Sequence, residues 1–349
     1  MDKHNFFGRT LPELAQDLKG LGKESFRAQQ LYRWIYGQNT QDFERMTNLS
    51  KAFRQEVPTL FEFNLPEVLQ VHRSQDGTIK ILLNVGAGKS VEAVLIPSPG
   101  RLTLCLSSEV GCNMACTFCY TGKQKLQRRL ETWEIVGQFV QASRLLDANQ
   151  RITNIVFMGM GEPLDNPEAV FKAIEILHSP WGYNLSKRRI TVSTSGIVPM
   201  IPRVAQAGVR LAVSLNGTND KIRSEVMPIN KRWPLAELLE ACREHCRMTG
   251  DKVTFEYVLL DGVTDALAAA RELYQLTRNI PCKINIIPFN EHPDSGYLRP
   301  SEEAIVRFQN ELIRLGAHVL RRKTMGRDIY AACGQLTTAS KKHTPQVSL

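Results

Sequence analysis

The sequence has no apolar run long enough to cross a membrane, and its first ten residues, MDKHNFFGRT, contain none that could serve as a signal peptide. It is also short of acidic residues, with 35 Asp and Glu against 44 Lys and Arg in 349 residues, a formal net charge of +9. The first absence argues against a membrane or secreted protein and predicts a cytoplasmic one. The second favours a polyanionic partner, with RNA and DNA as the first candidates.

A second pair of closely spaced cysteines, which a structural zinc site of the common kind needs, is missing as well. Cys242 and Cys246 lie four residues apart in a helical pattern, where burial as core thiols explains them. The chain has instead one CxxxCxxC loop, formed by Cys112, Cys116 and Cys119, directly after an apolar strand. Because iron–sulfur clusters normally take four cysteines, this loop predicts a cluster with one iron open to a substrate or cofactor. A structural zinc knuckle and three unrelated core thiols are the alternatives.

The basic residues form three clusters near candidate site segments. They are Lys123, Lys125, Arg128 and Arg129 after the cysteine loop, Lys187, Arg188 and Arg189 before a strand, and Arg321, Arg322, Lys323 and Arg327 before Cys333. Their positions predict a rim that grips phosphates.

The first third of the chain divides into helical and alternating patterns. Thr10-Leu11-Pro12-Glu13 predicts a capped helix, and two further helical segments complete a small helical domain over residues 1–60. This domain is either an RNA-docking module or a packed extension. Residues 61–101 predict a β-meander extension with a hairpin at Gln75-Asp76-Gly77. The GKS at the end of Gly86–Ser90 lacks the first glycine and the following helix of a nucleotide-binding loop, so a turn is favoured there.

From residue 102 onward, strand and helix patterns alternate. Strands are predicted at 102–107, 152–158, 189–194, 210–215, 253–260 and 282–288, with helices between them such as 133–146, 167–177 and 235–248. Six successive βα units imply a parallel sheet, and their length fits an open, partial (β/α)6 barrel over residues 102–336. Chemistry is then expected at the carboxyl ends of the strands. Residues 337–349 are predicted to be a basic, disordered tail.

Several motifs are spread in order over most of the chain. They are VEAVLIP around Glu92, LCLSSEVGC with Cys105, the cysteine loop, GMGEPL at 159–164, SKRRITVSTSG at 186–196, MPINK at 227–231, CKINIIPFN at 282–290 and RKTMGRDIYAACGQL at 322–336. Together they resemble the motifs of the RlmN/Cfr family of radical S-adenosylmethionine RNA (adenine) methyltransferases, and those of RlmN most closely. The resemblance implies the radical-SAM form of the partial barrel.

The resemblance also implies the cofactors and their ligands. The three loop cysteines would hold a 4Fe–4S cluster whose open iron binds S-adenosylmethionine, and two molecules of S-adenosylmethionine would be used in each turnover. An electron from the cluster would cleave one of them to a 5′-deoxyadenosyl radical. The cofactor contacts implied by position are Gly161, Glu162, Ser193, Ser214, Leu215, Asn216 and Asn290.

For catalysis, the resemblance implies a relay through two further cysteines. Cys333 would accept a methyl group from one S-adenosylmethionine, and the radical from a second would remove a hydrogen from that S-methyl group. The carbon radical would then add to adenine carbon-2, which is not nucleophilic enough for ordinary displacement. Glu92 would accept the ring proton, and Cys105 would attack the Cys333 sulfur, forming a disulfide and releasing the methylated base.

The implied partners are 23S rRNA, tRNA and an electron-donating flavodoxin or reductase, with the enzyme acting as a monomer away from membranes. The target adenine would have to be flipped or unstacked to reach the barrel mouth. Two residues depart from the family pattern: Asn216 stands where histidine is usual, and Tyr120 replaces a small residue after the third loop cysteine. The alternatives are a Cfr-type enzyme that methylates carbon-8 and a non-catalytic, zinc-containing RNA-binding protein.

Overall fold

The structure is a computed structural model that describes residues 3–292 and 294–337. Three helices lead the chain: α1 (Leu11–Gly20), α2 (Arg27–Tyr32) and α3 (Lys51–Leu60). The predicted capping box is confirmed, because the Thr10 side chain accepts from the Glu13 N–H while the Glu13 side chain accepts from the Thr10 N–H. The third helix begins at Lys51, where the Ser50 side chain caps it by accepting from the Phe53 N–H. All but the first residue of the predicted tail lies outside the described residues.

The β-meander that follows forms as predicted. Strands β1 (Glu67–Arg73), β2 (Ile79–Asn84), β3 (Ser90–Ser98) and β4 (Arg101–Cys105) pair antiparallel in sequence order. The GKS segment is a turn between β2 and β3, with no helix after it. The β2 and β3 strands are buried over most of their length, which places polar side chains such as Glu92 inside the protein.

From β4 onward the sheet is parallel, and the six predicted strands are confirmed. After the small antiparallel pair β5 (Glu109–Val110) and β6 (Arg128–Arg129), the parallel strands are β7 (Asn154–Phe157), β8 (Ile190–Thr194), β9 (Arg210–Ser214), β10 (Val253–Leu259), β11 (Cys282–Pro288) and β12 (Val319–Arg321). The helices that accompany them are α4 (Thr132–Arg144), α5 (Pro167–His178), α6 (Ile201–Ala207), α7 (Asp220–Val226), α8 (Leu235–Thr249), α9 (Leu267–Thr277) and α10 (Glu302–Arg314). The chain therefore has the expected α/β fold, in which helices alternate with the strands of a largely parallel sheet.

The seventh parallel strand, β12, was not predicted. It spans three residues, too few to show a periodic pattern, and it pairs with β11 through Ile284, Asn285 and Ile286. The ten strands of the main sheet run in the order β1-β2-β3-β4-β7-β8-β9-β10-β11-β12, and no pairing between β1 and β12 is found among the described residues. Within that same part of the chain, none of the helices has the length and apolar composition needed to cross a bilayer.

Candidate active site

The three cysteines of the cluster loop (residues 112–119) line one side of a partly open cavity, and all three are free thiols. The loop is anchored from two directions. The Thr117 N–H donates to the Val226 carbonyl at 3.0 Å, which ties the loop to the end of α7. The Tyr120 N–H donates to the Gly334 carbonyl at 2.8 Å, which ties it to the segment that carries Cys333. The cluster loop is therefore held between the end of α7 and the segment that carries Cys333.

The other walls are built from the carboxyl ends of the parallel strands, where this fold places its chemistry. Of the residues predicted from sequence, those lining the cavity are Gly161, Glu162, Ser193, Ser214, Asn216, Asn290 and Cys333. Leu215 is not among the lining residues, because its side chain is fully buried in the core. Its backbone N–H donates to the Glu256 carbonyl at 2.9 Å, which continues the β9–β10 pairing to the edge of the cavity.

Two buried carboxyl groups lie beside the cluster loop. Gly161 has a φ of +94°, and a Cβ there would be 2.5 Å from the Cβ of Glu109, so the position requires glycine. This close approach lets the Glu162 N–H donate to Oε2 of Glu109 at 2.9 Å. The Glu162 carboxylate accepts from the Ser195 N–H at 2.7 Å. Burial raises the pKa of both carboxyl groups, that of Glu109 to about 8.

Arg223, which sequence reasoning missed, fixes the strand ends around the cavity. Its side chain is fully buried and donates to the Leu215 carbonyl at 2.9 Å, to the Ser195 carbonyl at 2.6 Å and to Oδ1 of Asn230 at 2.8 Å. Burial lowers the pKa of Arg223 to about 10. One guanidinium thus joins the ends of β8 and β9 to the MPINK segment. An arginine inside a short helix carries no sequence signal for such a position.

The two departures from the family pattern both have a structural role. Asn216 has a φ of +48°, a conformation that asparagine tolerates better than most residues. Its Oδ1 accepts from the Val258 N–H at 2.9 Å, so the side chain cross-links β9 to β10. The Tyr120 ring stacks on His292, with ring centroids 4.9 Å apart and planes at 19°. Each substitution is therefore accommodated by a local contact.

Cys333 lies where two cavities meet. It lines the cavity of the cluster loop and also a smaller cavity lined by Cys105, and Arg322 lines both. Burial raises the pKa of the Cys105 thiol to about 12. Proximity to the Cys333 sulfur is the main factor that raises the pKa of Arg322. All eight cysteines are free, so the expected Cys105–Cys333 disulfide is not present in the structure. Arg322, predicted only as part of the rim, follows the unpredicted β12.

Glu92 is fully buried on β3 and is not among the described residues that line either cavity. Its Oε2 accepts from the Thr337 N–H at 2.9 Å, and the Lys80 ammonium lies 3.0 Å from its Oε1. Burial raises the pKa of Glu92, and the charge of Lys80 opposes this rise. The structure thus places Glu92 close to the Cys333 segment, with the end of that segment covering it.

The predicted phosphate-gripping rim is wrong in part. Residues 187–189 directly precede β8 and lie at its amino end, opposite the cavity. Arg128 is paired with the buried Glu134, and Arg321 is paired with Glu302. Arg322 lines the cavities instead of the rim. The exposed members of the three clusters that flank the cluster loop or Cys333 are Lys123, Lys125, Arg129, Lys323 and Arg327. Two of these are also ion-paired, Arg129 with Asp165 at 2.9 Å and Arg327 with Glu291 at 3.5 Å.

The residues present fit a 4Fe–4S cluster and a cationic cofactor. Thiolates are the ligands that iron–sulfur clusters take, and three free thiols of one short loop line the same cavity. No three His, Cys, Asp or Glu side chains in the described ranges are arranged to bind one metal ion. A 4Fe–4S cluster makes a different demand, since each thiolate binds a different iron. The Glu162 carboxyl group lines the same cavity and offers acceptor oxygens to a bound amino group, such as that of S-adenosylmethionine.

Comparison with known proteins gives consistent matches. Residues 107–273 match the family model described as the radical SAM superfamily, whose members use a 4Fe–4S cluster and S-adenosylmethionine. Residues 4–62 match the model described as the ribosomal RNA large subunit methyltransferase N-terminal domain. The chain is 65% identical, over 97% of its length and 85% of the relative's, to the dual-specificity RNA methyltransferase RlmN of Bdellovibrio bacteriovorus.

A solved structure matches the fold over almost the whole chain. It is the crystal structure of a radical SAM methyltransferase from Sphaerobacter thermophilus, which is 44% identical, with a TM-score of 0.91, over 95% of this chain and 99% of that one. These similarities overturn the alternative of a non-catalytic, zinc-containing RNA-binding protein. The chain belongs to the RlmN family of radical S-adenosylmethionine RNA methyltransferases.

Proposed function

We propose that this enzyme methylates carbon-2 of an adenine in 23S rRNA and in tRNA, with Cys333 as the methyl carrier. The observation that carries the proposal is the position of Cys333. Among the described cysteines, it alone lines both the cavity of the cluster loop and the cavity of Cys105. A methyl-carrying sulfur has to meet the source of the radical on one side and a resolving thiol on the other, and this position supports both encounters.

The cofactors supply a methyl group and a radical that removes hydrogen, and two S-adenosylmethionine molecules are used per turnover. Cys112, Cys116 and Cys119 would hold the cluster. S-adenosylmethionine would contact the residues that line the cavity beside the loop, namely Gly161, Glu162, Ser193, Ser214, Asn216 and Asn290. Leu215 would take part through its backbone, since its side chain is buried away from the cavity.

The protein's own residues then act in sequence. The Cys333 thiolate would attack the methyl carbon and form the S–CH3 bond as the bond from that carbon to the sulfonium breaks, with S-adenosylhomocysteine as the leaving group and the Arg322 guanidinium beside the thiolate. Once the carrier carbon is bonded to adenine, Glu92 accepts the ring proton at Oε2, which requires the Thr337 N–H to leave that oxygen. Cys105 would then attack the Cys333 sulfur, so that an S–S bond forms as the C–S bond to the product breaks and the released carbon takes up a proton to complete the methyl group. The one electron left on the RNA adduct would pass to the cluster.

RNA would approach from the carboxyl-end face of the sheet, with its adenine extruded into the cavity. The exposed cations beside the cluster loop and Cys333 support this direction of approach. The helical domain over residues 1–60 would dock RNA, and residues 4–62 of it match the model of a ribosomal RNA large subunit methyltransferase N-terminal domain. Residues 61–101 would form an extension and 102–336 the catalytic unit. We further propose that the enzyme is a cytoplasmic monomer that receives electrons from a flavodoxin or reductase.

Anaerobically reconstituted enzyme, incubated with unmodified 23S rRNA or tRNA, a reductant and methyl-labelled S-adenosylmethionine, tests the proposal directly. Nucleoside mass spectrometry should find 2-methyladenosine in both RNAs, together with 5′-deoxyadenosine. Cys333→Ala should abolish RNA methylation while leaving the cluster absorbance intact. RNA methylation by Cys333→Ala would refute the methyl-cysteine relay. Label on carbon-8 would instead identify the Cfr-type alternative, which the 65% identity to an RlmN protein disfavours.

A further inference from the structure

Lys80 is a buried lysine to which neither the family motifs nor the steps above give a role. It lies on β2, directly beside β3, and its side chain is 3% exposed. Ammonium groups are rarely buried to this extent unless they are paired. Its partner is Oε1 of Glu92, at 3.0 Å, so the cation is matched to the carboxylate that would accept the ring proton.

Lys80 also reaches the segment that carries the methyl acceptor. Its Nζ donates to the Tyr330 carbonyl at 3.4 Å, three residues before Cys333. On the other side of Cys333, the Thr337 N–H donates to the second oxygen of Glu92. The Lys80–Glu92 pair therefore holds the 330–337 segment at both of its ends. The proton acceptor and the methyl carrier are joined through one buried ion pair.

We propose that Lys80 is a positioning residue for the reaction, which keeps Glu92 as a carboxylate beneath the Cys333 segment. The inference rests on the proposed role of Glu92. Glu92 accepts a proton only while it is ionised, and burial alone favours its protonated form. Lys80 supplies the positive charge that opposes this effect at 3.0 Å. Without Lys80, Glu92 would already hold a proton when the RNA adduct forms.

The geometry separates the steps that depend on Lys80 from those that do not. Methyl transfer to Cys333 needs no proton acceptor on the base, so it should proceed without the ammonium group. Resolution of the covalent Cys333–RNA adduct needs the ring proton to leave, so it should fail. The variant that tests this is Lys80→Met, which keeps the length of the side chain and removes its charge. Lys89→Met, in the turn between β2 and β3, is the matched control.

The measurements are S-methyl-Cys333 by mass spectrometry of the protein, and covalent adduct and methylated RNA in a single turnover. Lys80→Met should acquire the methyl group and form adduct but release product roughly 10²-fold more slowly than wild type, the loss typical of a missing general base. Lys80→Arg should restore most of the release rate, and Lys89→Met should behave as wild type. Full-rate release by Lys80→Met would overturn the assignment. Equal losses of S-methylation, adduct and product would also overturn it, because they indicate a purely structural role.

A double-substitution cycle covers the case in which Lys80→Met folds poorly. Glu92→Gln removes the charge that Lys80 neutralises, so the double variant leaves no unpaired buried charge. Adding Lys80→Met to Glu92→Gln should not slow adduct release further, and an additive loss would refute the coupling. Wild-type enzyme that carries no S-methyl-Cys333 would overturn the proposed function itself. That result is distinguishable from failure of the Lys80 inference, because it is seen in the wild type before any variant is compared.

Discussion

Substitution of Gly161 by alanine is expected to displace the carboxyl groups beside the cluster loop. Two separate costs can be worked out from the structure. A residue with a Cβ at a φ of +94° is strained by about 1–2 kcal/mol. The added Cβ would also lie 2.5 Å from Cβ and 2.7 Å from Cγ of Glu109, so the Glu109 side chain has to move, at about 1–3 kcal/mol for overpacking. The sum is a loss of about 2–5 kcal/mol in the free energy of unfolding.

Gly86→Ala isolates the first of these costs. Gly86 has a φ of +82°, and a Cβ there would have no atom within 4 Å, so the variant should lose only about 1–2 kcal/mol. Denaturant unfolding of the reduced, cluster-free proteins gives both values under the same conditions. Gly161→Ala should in addition reduce 5′-deoxyadenosine formation. A displaced Glu109 side chain no longer accepts from the Glu162 N–H, so Glu162 shifts in the cavity that would bind the cofactor. Equal stability of the two variants would refute the close-approach argument.

Three further substitutions test other contacts of the site. Folded Glu109 keeps its proton up to about pH 8, while unfolded glutamate loses it near pH 4.5, so wild type loses stability as the pH rises between these values. Glu109→Gln should remove this slope and gain up to about 5 kcal/mol relative to wild type by pH 9, measured by denaturant unfolding; a constant difference would contradict the assignment. Arg322→Met should slow S-methylation of Cys333 roughly tenfold in a mass-spectrometric time course, because the cation beside the thiolate is lost, and an unchanged rate would exclude that role. Asn216→Ala should cost about 2 kcal/mol in thermal or denaturant unfolding, because the buried Val258 N–H loses its acceptor; a loss below 0.5 kcal/mol would show that the N–H finds another partner.

The sheet and the cavity could be predicted from sequence because both depend on local patterns. Six apolar strand segments alternate with amphipathic helices, and parallel strands bring their carboxyl ends to the same face. Ser193, Ser214 and Asn290, which the family resemblance implied as cofactor contacts, lie at strand ends as this rule requires. Leu215 shows where the rule stops: it directly follows β9 next to lining residues, but its side chain is buried in the core. The position of a residue in a motif determines where its backbone lies. Whether its side chain reaches the cavity depends on the alternation of side-chain directions along the strand.

Contacts between distant parts of the chain could not be predicted in this way. The Thr337 N–H and the Glu92 carboxylate are separated by 245 residues, and the pattern of neither segment indicates the other. Arg223 and Lys80 are similar cases, since each is a basic residue that composition assigns to the surface and the fold buries. Their partners are backbone carbonyls and a carboxylate from other elements. Such charges become recognisable only when the three-dimensional packing shows what surrounds them.

Contacts between loops at the two edges of the sheet explain how an open sheet can enclose a site. β1 and β12 are the two edges of the ten-stranded sheet, with eight strands between them. Even so, the turn after β1 contacts the loop after β12: Oγ of Ser74 donates to Oδ1 of Asp328 at 2.6 Å, and the Gly326 N–H donates to Oδ2 of Asp76 at 2.8 Å. The sheet is therefore curved enough for loops at its two edges to hydrogen-bond to each other where no strand pairing connects them. Because residues 330–337 directly follow this junction, the antiparallel hairpin that carries Lys80 also helps to fix the position of Cys333.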